Sequence, residues 1–159
     1  MRSRCLAEVL AVAFLCGGAA AAEPSGARLP PLLFTSEGLG KIVRIDSKGD
    51  VAWEYPAATA RDVWQLPNGN VLFPYSVSNG VNGAETGAME VTPDKRIVWQ
   101  FKTHGQVYSC QRMADGNTLV GATQQGRLLI VTPSGEVARS FEIKNAPAGH
   151  SSMRNVRAL

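Results

Sequence analysis

The chain has two histidines, His104 and His150, 46 residues apart. Four positions after them stand Tyr108 and Arg154, and Arg61 holds the same slot 47 residues before Tyr108. Asp62, Ser109 and Asn155 follow in turn. Near neutral pH an imidazole serves as acid, base, metal ligand or nucleophile. A guanidinium offers a planar fork of donors to carboxylate, phosphate or sulfate. His104, His150, Arg61, Tyr108 and Arg154 are therefore the candidate ligand-binding residues, and no catalytic residue is assigned. No metal site is expected, because no Asp or Glu accompanies the two histidines at matching register. No Gly-rich phosphate loop, Gly-x-Ser-x-Gly elbow or Cys-x-x-Cys pair is present.

These residues recur because the chain recurs. Ile45–Tyr55, Val91–Phe101 and Val131–Phe141 align without gaps, their starts 46 and 40 residues apart. Each reads as strand, four-residue turn, strand. Val63–Phe73 and Cys110–Val120 form a second aligned pair, 47 residues apart, around Asn-Gly and Asp-Gly. Such turns between apolar runs signal hairpins, because one position needs positive φ. Each repeat is thus two hairpins: strands A (61–66), B (71–75), C (88–91) and D (97–101), then A (107–113), B (118–122), C (127–131) and D (136–141).

Four strands per repeat of about 46 residues predict an all-β fold, a β-propeller of four-stranded antiparallel blades. Runs such as Leu128-Leu129-Ile130-Val131 lack clean alternation, as expected of sheets covered on both faces. Leu32–Thr35, Lys41–Ile45 and Val51–Tyr55 read as B, C and D of a first blade without its A strand. Val156–Leu159 matches the start of another A strand. About three blades are expected, at about 32–55, 61–101 and 107–141, with the next beginning at 152–159, in a truncated chain. The A–B and C–D turns share one face. The other carries the loops Ser76–Gly87, Thr103–Gln106 and Asn145–Ser152, and with them the candidate site.

The first 22 residues read as a secretory signal peptide: Arg2 and Arg4, an apolar run from Leu6 to Leu15, and a run of alanines ending at Ala22. Residues 23–31 read as a short linker. The run is too short to span a bilayer, which takes about 20 apolar residues, so no stable membrane insertion is expected after cleavage. An exported protein, periplasmic or secreted, is expected. Cys5 and Cys16 leave with the leader, and Cys110 reads as a buried structural thiol beside Val107 and Met113. The 16 Lys and Arg against 13 Asp and Glu give a net charge of +3. That is too small and too dispersed for a nucleic-acid arm or a polybasic membrane patch.

Asp46, Gly49-Asp50-Val51-Ala52-Trp53, Lys95-Arg96-Ile97-Val98-Trp99 and the Leu-Pro-Asn-Gly-Asn and Ala-Asp-Gly-Asn turns resemble bacterial exported propellers with quinoprotein-like (PQQ-like) or arylsulfotransferase-like repeats. The resemblance covers about 32–159. It implies the propeller fold, and one blade motif serves many chemistries. Lys95 stands where the repeat has Gly, and Arg139 where it has Trp. The adjacent cysteines of quinoprotein dehydrogenases are lacking, so no PQQ or other cofactor is expected. Trp53 and Trp99 are expected to pack between blades, and Asp46 to accept hydrogen bonds within its turn. The reading favoured is a non-enzymatic scaffold whose funnel takes a small anionic molecule, a glycan or a protein. The alternatives are an arylsulfotransferase-like transferase using a funnel histidine, and a PQQ-type oxidoreductase.

Overall fold

A computed structural model describes residues 28–78, 84–144 and 153–159. The signal-peptide reading of 1–22, His150 and the whole Asn145–Ser152 loop lie outside those residues. The described residues form 11 strands in three antiparallel sheets. The first joins β1 (Leu32–Ser36), β2 (Lys41–Ile45) and β3 (Val51–Pro56) in that order. The second runs β4 (Trp64–Gln65), β5 (Val71–Ser78), β6 (Ala84–Val91) and β7 (Ile97–Thr103). The third runs β8 (Val107–Arg112), β9 (Thr118–Ala122), β10 (Arg127–Val131) and β11 (Val137–Glu142).

Sequential neighbours pair throughout, because the turns are short. Gly69 and Gly116 adopt φ of 85° and 86°, and each amide returns to the carbonyl three residues back, 2.9 and 3.0 Å. Asn68 and Asp115 accept the amides of Asn70 and Asn117, both at 3.0 Å. At the other hairpins Asp46 takes the amides of Lys48 and Asp50, while Thr92 and Thr132 hydroxyls take those of Arg96 and Glu136. A short polar side chain thus closes each of these five turns. Asp46 is a turn acceptor.

The left-handed slot in the second C–D hairpin is filled by Lys95, φ 68°, where Gly49 and Gly135 stand in the others. A side chain there costs about 1–2 kcal/mol, partly offset because Gly gains more freedom when unfolded. Lys95→Gly is expected to raise stability by about 0.5–1 kcal/mol, read as a higher urea midpoint at unchanged slope.

The sheets stack face to face, which explains the continuous apolar runs. In β5, Val71, Phe73 and Tyr75 pack toward the first sheet with Ile42, Trp53, Met89 and Val91. Leu72, between them, turns to the third sheet with Ala88, Phe101, Val120 and Leu129. Both faces of the middle sheet are core, so neither parity is polar. Cys110 is fully buried in the second cluster. Burial pushes its thiol well up, and the Asp62 carboxylate adds to this.

Side chains recurring in register stitch the sheets. The Trp53 indole donates to the Pro93 carbonyl at 2.8 Å, and the Arg112 guanidinium lies 4.8 Å from the Trp99 ring, so both tryptophans pack between sheets. Arg44 of β2 donates to Gln65 of β4 at 3.3 Å. One repeat later Glu90 of β6 accepts from Arg112 of β8 at 2.6 Å. The same junction is used with donor and acceptor exchanged.

One expected loop is overturned. Ser76–Gly87 reads as a connection, yet β5 and β6 extend into it from both ends, with Ser76 opposite Thr86 and Ser78 opposite Ala84; residues 79–83 lie outside the described residues. Polar anchors carry the pairing outward. The Tyr75 hydroxyl donates to Glu85 at 3.0 Å, Gln100 donates to that hydroxyl at 2.8 Å, and Lys102 pairs with Glu85 at 3.1 Å. Burial raises the Tyr75 phenol well above its ordinary value, and Glu85 pushes the same way.

Candidate functional site

Arg61 lies in the crossover between β3 and β4, Tyr108 in β8, and Arg154 in the extended segment 153–159. That segment runs beside β8. Val156 and Ala158 donate their amides to the Ser109 hydroxyl and the Gln111 amide oxygen, 3.0 and 2.9 Å. The Thr123 hydroxyl donates to the Met153 carbonyl at 2.8 Å. One step earlier the Asp62 carboxylate takes the Cys110 amide at 3.3 Å. Three successive inner segments are thereby held side by side, each offering one side chain of the aligned set.

Those side chains meet. The Arg61 guanidinium carbon lies 4.2 Å from the Tyr108 ring centre, and that of Arg154 lies 5.7 Å from the same ring. Tyr108 is buried, and its hydroxyl donates to Gln106 at 2.7 Å. Both cations sit within the roughly 6 Å at which a ring face attracts them. Arg61, Tyr108 and Arg154 line one open cleft of about 580 Å³, together with Thr35, Glu37 and Asn155. Glu37 accepts from the Arg61 Nε at 2.5 Å, which leaves the outer Arg61 nitrogens available. Arg154 makes no hydrogen bond or ion pair among the described residues, its one contact being the ring. Two guanidiniums against one carboxylate leave the lining cationic.

His104 is brought near the same face but does not join the lining. It is exposed, and its carbonyl accepts from Gln125 at 2.5 Å. Among the described residues no group of three or more His, Cys, Asp or Glu is placed to hold a metal.

Two participants escape sequence reasoning. Glu37 sits in the turn after β1, where no other described repeat places an acid. Arg157, in a segment that reads only as the start of a strand, grips Asp62 with both nitrogens at 3.0 Å and covers Trp64 at 4.8 Å. The register of Asp62 with Ser109 and Asn155 was the available signal: all are short polar side chains beside an inner strand.

No protein-family model matches the chain, and no curated protein matches it either. Solved structures do. A streptogramin B lyase superposes with a TM-score of 0.54 at 21% identity, over 74% of this chain and 39% of that one. A catalytically inactive virginiamycin B lyase from Staphylococcus aureus, with quinupristin, gives 0.53 at 24% over 74% and 39%. A protein of unknown function from Bacteroides caccae gives 0.56 at 18% over 72% and 42%. The chain has a β-propeller fold. It spans about two-fifths of the length of these structures, and at such identities the likeness concerns the fold alone.

Proposed function

We propose that this propeller is an exported, non-catalytic binding scaffold, and that its cleft at Arg61, Tyr108 and Arg154 takes a small anion or a glycan bearing sulfate or carboxylate. One observation carries the reading: two guanidiniums share a single buried ring, and Arg154 has no acceptor among the described residues. Crowded like charges on a preformed platform gain from an anion between them, and charge-assisted bonds to a planar fork are the strong kind. Arg61 is oriented by Glu37, so little ordering is left to accompany binding. No cofactor enters this reading. Export rests on the leader-like sequence of residues 1–22. The arylsulfotransferase resemblance asks for a histidine against the anion. His104 stands outside the cleft lining and His150 lies outside the described residues, so the described lining supports binding.

Calorimetric titration with 4-nitrophenyl sulfate tests this. Arg154→Ala is expected to weaken binding tenfold or more, as the loss of one charge-assisted bond of about 1.5–3 kcal/mol implies. Its melting temperature should hold, since no hydrogen bond to Arg154 is lost. Equal affinity in wild type and variant would overturn the site.

A further inference from the structure

A second cleft lies between the first two sheets, and its chemistry is the opposite of the first. Its volume is about 500 Å³, within the range of small-molecule pockets. Tyr55, Phe73 and Met89 line it, roofed by the crossover Pro56–Thr59. The Tyr55 and Phe73 rings stand 5.5 Å apart at 56°, an open angle that receives a flat ring edge-on. Among the described residues no charged side chain lies in the lining.

The roof is fixed. The Ala57 amide donates to the Gly40 carbonyl at 2.8 Å. Thr59 is clamped to Ser76 twice, its hydroxyl donating to the Ser76 carbonyl and accepting the Ser76 amide, both at 2.8 Å. Two hydroxyls of the lining, those of Tyr55 and Ser76, have no hydrogen-bond partner among the described residues.

The next junction provides an internal comparison. There the crossover is drawn down by polar contacts: Thr86 donates to the Thr103 carbonyl at 3.1 Å and to that of Gly105, while Gln125 donates to Thr103 and His104. Val120 and Ala122 stand where Phe73 and Tyr75 stand in the repeat before. The first junction instead has small residues in its roof and large rings in its wall.

We infer that this cleft is a binding site for a neutral aromatic molecule carrying one carbonyl or hydroxyl oxygen. The rings and the Met89 thioether would hold its faces. The free hydroxyls would meet its oxygen, and the uncharged lining disfavours an ion.

Benzophenone, a neutral aryl ketone, serves as the probe with the full chain. It is expected to displace the fluorescent neutral amine N-phenyl-1-naphthylamine, and on irradiation to label Met89 or the stretch Tyr55–Thr59, identified by peptide mass spectrometry. Ala57 packs against the apolar cluster, so Ala57→Leu should fill the cleft and weaken amine binding at least tenfold. Arg154→Ala should leave it unchanged. Labelling confined to other segments, or equal binding by a folded Ala57→Leu chain, would overturn the inference. If that variant does not fold, the labelling position in the wild-type chain decides.

Discussion

Alanine at Gly87 should strongly destabilise the second sheet. A Cβ built there would stand 1.8 Å from the Phe101 carbonyl oxygen and 2.8 Å from its carbon. Both atoms are backbone of β7, so no side-chain rotation relieves the overlap. The strands can part only by breaking the ladder between Gly87 and Lys102, which also carries Phe101 in the core between the second and third sheets. Overpacking usually costs about 1–3 kcal/mol when side chains can adjust. With backbone as the obstacle we expect about 3 kcal/mol or more, a fall in melting temperature on the order of 10 °C. Gly38, in the turn after β1, has nothing within 4 Å of its built Cβ, so Gly38→Ala should stay within about 0.5 kcal/mol of wild type. Thermal melts of both by near-ultraviolet circular dichroism make the comparison. A Gly87→Ala chain melting with the wild type would show that β6 and β7 part freely there.

Asp62→Ala should be nearly as damaging, for a different reason. Its carboxylate is buried and accepts from the Cys110 amide, the Val63 amide at 3.1 Å and both outer nitrogens of Arg157. Removing it orphans a buried amide and breaks a half-exposed ion pair, together about 2–4 kcal/mol. Asp62→Asn keeps an oxygen for Cys110 and should lose about half as much. Arg157→Ala should cost only about 1 kcal/mol, because its side chain is 38% exposed and water replaces much of the pairing. In chemical melts the double variant should be no worse than Asp62→Ala alone. An Arg157→Ala loss as large as that of Asp62→Ala would put the stabilisation in the ion pair and overturn the amide's part in it.

The hairpins were legible because their chemistry is local. Asn68-Gly69, Asp115-Gly116 and Asp46 act on amides two to four residues away, so spacing alone reveals them. The meeting of Arg61, Tyr108 and Arg154 was legible for a related reason: a repeat carries backbone slots into register, and slots on inner strands converge. Register does not fix where a side chain goes afterwards. His104 shares the period, but Gln125 ties its backbone down and the imidazole stands apart from the cleft. Ser76–Gly87 reads as loop because Ser, Asn and Gly crowd it, while the anchors that extend the strands, Glu85 with Gln100 and Lys102, lie on three strands. Glu37 matches no other described repeat, and its value appears only when β1 is brought beside the crossover at Arg61.

Among the described residues, three contacts between inner segments run one way along the chain. Asp62 accepts from Cys110, Ser109 from Val156, and Gln111 from Ala158. In these three the acceptor belongs to the earlier segment and the donor to the later one. On a ribosome, which delivers the N-terminal part first, Asp62, Ser109 and Gln111 therefore wait as acceptors for the segment still emerging. On these contacts the junctions would zip from the N-terminal end, each segment docking onto a template already set. Loss in the opposite sense has a matching rule: fraying from the far end frees donors that water satisfies at once, whereas opening from the near end strands amides such as that of Cys110 in the core.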